Sequence, residues 1–340
     1  MTTASDMRDP AAGLGAMRFR LGPYPVEVGP VDHLAAEREA LAGLTWEHFS
    51  ARPVGTTIGA EVDGVDLAAD LSEAAVAELR RALLAYKVLF FRDQPLTADG
   101  QVRLARRFGD LEVHPFYPSN TDQPELMRLA KSAAVGGYEN GWHADVTWRE
   151  RPSMGAILHA VEVPPTGGDT LFADMCAAYD GLDPAMKERV DHLWAVHDYS
   201  LVFGLHLPAD EQVKMREAYP PVRHPVVRRH PETGRKLLFV NRLFVRHIEG
   251  LAAAESTALI DELCRRADVP EYQCRLHWEP DSVAFWDNRA VQHYACSDYW
   301  PAVRVMERAS IIGFALVAML FFIGLSNDIG RITGEGFSVR

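Results

Sequence analysis

The chain has 340 residues, of which 48% are hydrophobic and 24% are charged, so it can bury a full globular core. Its formal net charge of −12 at pH 7 argues against a nucleic-acid partner or an anionic membrane surface, because both attract basic patches. The four cysteines form no CxxC pattern, and the first 30 residues contain no continuous apolar stretch. We therefore expect reduced thiols and a cytoplasmic protein.

Residues 1–50 are rich in Ala, Gly and Pro, and we interpret them as an N-terminal extension with one short helix over 34–42. The pattern of a folded domain begins at residue 51. The stretch GTTIGAEVDGVDL at 55–67 alternates apolar and polar residues between glycines, which predicts a small hairpin. The next predicted elements, in chain order, are a helix capped by Ser72, a buried strand at 87–91 and a helix at 98–108.

Beyond residue 125 the sequence consists mainly of short apolar runs separated by Gly and Pro. The clearest predicted strands lie at 154–163, 170–174, 236–241 and 282–288, and further helices are predicted at 184–193 and 254–266. Early helices followed by many short strands indicate an α+β fold in which a β-sandwich or barrel carries the functional site.

The stretch GWHADVTW places His143 and Asp145 two residues apart. On a strand, both side chains would point to the same face, so the pair could supply two ligands of a metal ion. An isolated HxD pair is common and also fits two polar residues of an alternating strand. A third ligand is available in AFWDNRAVQH, where His293 follows an apolar strand. Two imidazoles and one carboxylate form the facial triad of non-haem Fe(II) oxygenases, which leaves coordination positions open for other ligands.

Four segments together carry a resemblance to a known family: WHADVTW at 142–148, PPTGGDTLFADM at 164–175, HPVVRRHPETGRKLLFVN at 224–241 and WDNRAVQHYACSDYWPAVRVMERASI at 286–311. In order and spacing the chain resembles the taurine dioxygenase and alkylsulfatase-like family of Fe(II)/2-oxoglutarate-dependent dioxygenases. The resemblance covers roughly 53–313. It implies one domain over 51–313 with an α+β fold, a double-stranded β-helix (jelly roll) with flanking helices.

The same resemblance assigns residues to the cofactors. It implies that His143, Asp145 and His293 bind Fe(II), and that Arg304 and Thr170 bind the distal carboxylate of the co-substrate 2-oxoglutarate. A guanidinium suits this role because it binds a carboxylate through two parallel hydrogen bonds. Related halogenases lack the carboxylate ligand, whereas this chain retains Asp145, so hydroxylation with O2 is the expected reaction.

The resemblance further implies a small anionic substrate, a sulfonate such as taurine or an alkyl sulfate. Arg308, His114 and the backbone amide of Val146 would hold its anionic group, and Tyr117 would lie beside it. Hydroxylation next to the heteroatom would release sulfite or sulfate, with succinate and CO2 as the other products. Two alternatives remain open: the same chemistry on a carboxylate such as an aryloxyalkanoate, and a jelly-roll metal-binding module without turnover.

One position departs from the family pattern near the expected substrate. Glu139 stands where taurine dioxygenases carry an asparagine close to the substrate amine. Glu139 would either pair with a cationic amine of the substrate or face solvent. Dimers and tetramers occur in the family, so a homo-oligomer is also expected.

The C-terminal segment is unusual for the family. Residues 309–325 are 17 consecutive uncharged, mostly apolar positions, close to the lower limit for a membrane-spanning helix. If Arg308 reaches into the β core, residues 309–312 complete the last strand and the 13 positions at 313–325 are too few to span a bilayer. We therefore expect no stable membrane insertion. Residues 314–340 then form an atypical apolar tail, either a packing helix or a foreign segment from a fusion or reading-frame change.

Overall fold

The computed structural model describes residues 19–20, 27–117, 122–137, 139–204 and 207–313. The predicted apolar tail, 314–340, lies outside the described residues, as does most of the chain before residue 27. Within the described ranges, no helix is both long enough and apolar enough to cross a membrane. The four cysteines are free, in agreement with the expected reduced thiols.

The largest sheet is mixed and has seven strands. In spatial order these are β3 (Ser50–Pro53), β4 (Ala60–Asp63), β5 (Val88–Phe91), β15 (Val283–Asp287), β7 (Ser153–Glu162), β17 (Arg304–Ile312) and β6 (Leu126–Lys131). All neighbours pair antiparallel except β4 and β5, which are parallel. The sheet therefore combines strands from both ends of the sequence.

The other sheets are smaller. A three-stranded sheet contains β14 (Gln273–Leu276), β8 (Thr170–Asp174) and β16 (Val291–Ala295). A second contains β10 (Val222–Pro225), β9 (Trp194–His197) and β13 (Val245–Ile248). Two strand pairs complete the set: β11 (Val227–Arg229) with β12 (Lys236–Leu238), and β1 (Phe19–Arg20) with β2 (Glu27–Val28).

Seven α-helices lie within the described residues. They are α1 (Ala35–Ala42), α2 (Glu73–Tyr86), α3 (Ala98–Arg106), α4 (Met175–Asp180), α5 (Pro184–Val190), α6 (Ala209–Ala218) and α7 (Ala253–Cys264). The predicted cap of α2 is confirmed, since the Ser72 hydroxyl accepts a hydrogen bond from the Ala75 amide at 3.1 Å. Asp174 caps α4 in the same way through the amides of Cys176 and Ala177.

Alternating residues of the central strands enter two separate hydrophobic clusters. In β15, Ala284 and Trp286 belong to the cluster shared with the small sheet of β8, whereas Val283 and Phe285 pack with α2 and α3. Both faces of β15 are therefore covered, which explains why its five residues are all buried. The large sheet separates a helical layer from the layer that carries the site.

A buried lysine connects the N-terminal region to this core. Lys87 ends α2 in the left-handed conformation, with φ of 66°. Its ammonium lies 3.0 Å from a carboxylate oxygen of Asp174 and 2.6 Å from one of Glu37 in α1. Arg235 also pairs with Glu37. Charges buried at this depth require such partners.

The structure corrects two details of the strand predictions. The segment 55–67 is not a hairpin by itself. Residues 54–59 form a turn, and within the segment only β4 is a strand, which pairs with the preceding strand β3. Gly59 adopts φ of +83° in this turn, and a β-carbon there would lie 2.7 Å from Cys274 Sγ. The strand predicted at 236–241 ends at Leu238. The remaining predicted helices and strands are present within a few residues of their expected bounds.

Several histidines are buried and held neutral. Burial and the neighbouring His224 lower the pKa of His197 well below its usual value. Burial and Arg228 lower the pKa of His224 to about 4. At pH between about 4 and 6.5 the unfolded chain therefore binds more protons at these positions than the folded chain.

This difference predicts that acid destabilises the metal-free protein. The free energy of unfolding should fall by about 1.4 kcal/mol per pH unit for each such histidine as the pH drops from about 6.5 to about 4. Urea unfolding followed by circular dichroism across this range measures the slope. His197→Asn should reduce the slope, whereas the same change at the exposed His247 should not. An unchanged slope in His197→Asn would contradict the assignment.

Candidate metal centre and substrate cavity

A single backbone bridge joins the two segments that carry the predicted metal ligands. The amide of His143 donates to the carbonyl of His293 at 3.1 Å, and the amide of His293 donates to the carbonyl of His143 at 2.7 Å. His293 lies in β16, where it is opposite Phe172 of β8. The small sheet therefore fixes the position of both imidazoles.

The prediction that His143 and Asp145 share a strand is wrong. His143 occupies the isolated bridge, and Asp145 begins a turn over 145–148. Val146 has φ of +47° in this turn, which is a rare conformation for a β-branched residue and costs on the order of 1–3 kcal/mol. The carboxylate reaches the imidazoles because the chain turns, and strand alternation plays no part.

Asn288 holds the turn from the end of β15. Its side-chain oxygen accepts a hydrogen bond from the Asp145 amide at 2.7 Å. Its side-chain nitrogen donates to the carbonyls of Asp145 at 3.0 Å and Ser153 at 3.2 Å. Asn288 is buried, and all of these partners are backbone groups. In the sequence Asn288 is only one residue of the segment AFWDNRAVQH, which does not indicate this role.

The three predicted ligands converge. Their ligand atoms all lie within 4.8 Å of one another, and Nε2 of each histidine is 3.9 Å from Asp145 Oδ1. Nδ1 of His143 lies 2.7 Å from the Gly141 carbonyl oxygen, which accepts a hydrogen bond from the Nδ1–H and leaves Nε2 available to a metal. This donor set fits non-haem Fe(II).

The charges in the centre suit a metal site. Burial favours a raised pKa for Asp145, but Arg308 and the two imidazoles outweigh it and hold the pKa at about 2. Arg308 Nη1 lies 2.9 and 3.1 Å from the two carboxylate oxygens. Burial and the neighbouring His143 lower the pKa of His293 to about 3. At neutral pH the carboxylate is therefore ionised and His293 is neutral, the states required for metal binding.

Arg304 lies on the same face of β17 as Arg308, because the two are separated by four residues of a strand. It is buried, and among the described residues neither its Nε nor its Nη2 has a hydrogen-bond partner. Its guanidinium carbon is 5.8 Å from the ring centroid of Trp278. The Trp278 indole donates to the Thr170 hydroxyl at 2.9 Å. Arg304 and Thr170 thus line one cavity with polar groups that suit a carboxylate.

The cavity, of about 90 Å³, also contains the predicted substrate contacts His114, Tyr117, Glu139, Val146 and Arg308. Burial and Arg308 lower the pKa of His114 to about 3, so its imidazole is neutral. Its Nδ1 accepts a hydrogen bond from the Phe116 amide at 3.2 Å, which places the proton on Nε2. His114 is therefore a neutral hydrogen-bond donor.

Glu139 has a partner that the sequence did not predict. Its carboxylate lies 2.7 Å from the ammonium of Lys131, at the end of β6. Lys131 is opposite Arg304 in the register of β6 and β17, so the two side chains share a face. The sequence gives no signal of this pairing, because it depends on how the loop between Lys131 and Glu139 folds.

Two histidines and a carboxylate on a β core, beside a cavity with a buried arginine, define a non-haem metal enzyme. The family model described as taurine catabolism dioxygenase TauD, TfdA family matches residues 50–310. The chain belongs to this family and is a 2-oxoglutarate-dependent dioxygenase that uses Fe(II), 2-oxoglutarate and O2.

Individual relatives cover most of the chain. An alpha-ketoglutarate-dependent sulfate ester dioxygenase from Pseudomonas putida is 36% identical over 296 residues, which are 85% of this chain and 95% of the relative. An (S)-phenoxypropionate/alpha-ketoglutarate dioxygenase from Sphingobium herbicidovorans is 38% identical over 293 residues, with 78% and 95% covered. The crystal structure of a taurine dioxygenase from Burkholderia xenovorans has a TM-score of 0.68 and 35% identity, with 79% and 92% covered.

The contacts of Asn288 predict a role in metal binding. Asn288→Ala should weaken the binding of Mn(II), used as a stable substitute for Fe(II), by about 10- to 100-fold, because the turn that carries Asp145 loses its anchor. Calorimetric titration measures this change. The exposed Asn140 offers a matched control, and Asn140→Ala should bind Mn(II) as the wild type does. Equal affinities in the two variants would exclude the anchoring role.

The unsatisfied guanidinium of Arg304 predicts a second effect. Arg304→Met should weaken 2-oxoglutarate binding by at least about thirtyfold, because the buried carboxylate loses its cation. Anaerobic calorimetry with the metal-loaded protein measures the affinity. Arg128→Met is the control. Arg128 lies on the neighbouring strand β6 of the same sheet, pairs with Glu307 and is half exposed. That control should retain wild-type affinity, and a similar loss in both variants would point to general destabilisation.

Proposed function

We propose that this enzyme oxidises an alkyl sulfate or sulfonate at the carbon next to the heteroatom. The observation that carries the proposal is an anion-binding arrangement beside the metal ligands. Arg308, the neutral donor His114 and the turn residue Val146 all line the cavity that contains Asp145. The similarity to a sulfate ester dioxygenase supports the same conclusion.

We also infer that the β core is a double-stranded β-helix. The strands β15, β7 and β17 of the large sheet face the sheet of β14, β8 and β16 across one shared hydrophobic cluster. His293 comes from the small sheet, and Arg304 and Arg308 come from the large one. The cavity therefore lies between two sheets, as in a jelly roll.

When bound, Fe(II) with 2-oxoglutarate and O2 supplies the oxidising power for an unactivated C–H bond. The protein residues supply position. Arg304 and Thr170 orient 2-oxoglutarate by its distal carboxylate, and Arg308 and His114 orient the substrate by its anionic group. The surrounding apolar side chains limit access of water to the reacting atoms.

The proposed reaction consumes one O2 and one 2-oxoglutarate for each substrate molecule. One oxygen atom of O2 enters succinate, formed with CO2 from 2-oxoglutarate, and the other becomes a hydroxyl group on the substrate carbon. The hydroxylated carbon still bears the sulfate or sulfonate. Collapse breaks the C–O or C–S bond and gives an aldehyde, with sulfate or sulfite as the leaving group and release of a proton.

The test is product formation across a substrate panel. Alkyl sulfates and alkanesulfonates should increase succinate formation above the substrate-free rate, with equimolar sulfate or sulfite. Arg308→Met should lower kcat/KM for these anions by at least about thirtyfold. The phenoxypropionate relative favours a second candidate, a carboxylate substrate. Stimulation by aryloxyalkanoates alone, without any response to sulfur anions, would replace the first candidate by the second.

A further inference from the structure

We infer that the Lys131–Glu139 pair selects against substrates that carry an amino group. The inference rests on the proposed function and narrows its substrate class to amine-free anions with an apolar tail. Taurine, which bears an ammonium group two carbons from its sulfonate, would then be a poor substrate. This selectivity would come from one ion pair and from the apolar wall of the same cavity.

The two charges lie inside the cavity wall. Lys131 is the last residue of β6 and is buried, with a side chain that is 7% exposed, and Glu139 is 22% exposed. Both line the cavity that contains the metal ligands and Arg304. Their separation of 2.7 Å makes them a close ion pair. At this depth the pair is screened much less by water and salt than a surface pair.

Every carboxylate on the described cavity wall is already matched by a cation. The acidic residues among the described lining residues are Asp145 and Glu139. Asp145 is a predicted metal ligand and contacts Arg308, and Glu139 contacts Lys131. An ammonium group that entered the cavity would lose its hydration and would have to displace one of these cations. An amine-free substrate has no such requirement, so the pair favours it.

The rest of the wall suits a hydrocarbon. Phe203 and Phe244 are stacked with ring centroids 6.2 Å apart, and Val202 and Leu243 lie beside them on the cavity wall. His114 contacts Phe203 with ring centroids 5.6 Å apart, so this apolar surface begins next to the anion-binding end. A substrate held by its anionic group at Arg308 can therefore bury an alkyl or aryl tail against these side chains.

The test compares two ligands of nearly equal size, 1-propanesulfonate and taurine, which differ by a methyl group in place of the ammonium. Anaerobic calorimetry with Fe(II) and 2-oxoglutarate measures both affinities without turnover. The wild type should prefer 1-propanesulfonate. Lys131→Met removes the cation that lies against Glu139 and should shift the affinity ratio toward taurine by roughly ten- to a hundredfold.

Two further variants make the test specific. Lys131→Arg retains the cation and should preserve the wild-type ratio. The double variant Lys131→Met/Glu139→Gln removes both charges and should lose the gain for taurine seen with Lys131→Met. A ratio that is the same in the wild type and in Lys131→Met would overturn the inference, provided that circular dichroism shows both proteins folded.

A failure of the proposed function gives a different result from a failure of the ion-pair inference. If neither sulfonate binds and no sulfate ester stimulates succinate formation, the sulfur-anion proposal fails. The matched carboxylates butanoate and β-alanine then take the place of the sulfonates in the same titrations. A shift toward β-alanine in Lys131→Met would retain the role of the pair, and no shift would overturn it for either class of anion.

Discussion

The site depends on two reciprocal backbone hydrogen bonds between His143 and His293. They join segments 150 residues apart in sequence, as the residue numbers show. A pair that exchanges both N–H···O bonds has a fixed separation and orientation, so the two imidazoles start from a defined geometry before any metal binds. The neighbouring turn then needs only to bring one carboxylate to the open side of this pair. Asn288 does so by hydrogen bonds to backbone groups, which are insensitive to the side chains around them.

Two different backbone geometries place charged groups around one cavity. Arg304 and Arg308 reach it because alternate residues of a strand share a face, and Asp145 reaches it through a turn in which Val146 has a positive φ. The strand sets the distance between the two anion sites, since four residues of extended chain separate them by about 13 Å. The turn sets the position of the carboxylate relative to the imidazoles. In the proposed function, one strand would thus orient both the co-substrate and the substrate, and the turn would add the carboxylate to the two imidazoles.

The sequence identifies the ligands but not the path of the chain between them. Its motifs predict that His143, Asp145 and His293 come together, and its patterns predict five of the seven described α-helices but fewer than half of the described strands. The error at Asp145 has a physical cause, because alternation over a few residues looks the same whether or not the chain turns. A positive φ at a valine contradicts its intrinsic preference and follows only from tertiary contacts. Lys131 and Glu139 were missed as a pair for a related reason: their approach depends on the loop between them.

The buried Lys87 joins the N-terminal region to the core through an ion pair. Its ammonium and the guanidinium of Arg235 share the carboxylate of Glu37, which lies in the predicted extension. A chain shortened to begin at residue 51 would keep both cations but lose this anion, leaving Asp174 as the carboxylate next to Lys87. Asp174 also caps α4, directly after a strand that pairs with the one carrying His293. Arg235 would keep its ion pair with Asp180. Removal of the N-terminal region would therefore break the carboxylate link between the two cations and leave Lys87 dependent on a residue of the metal-centre scaffold.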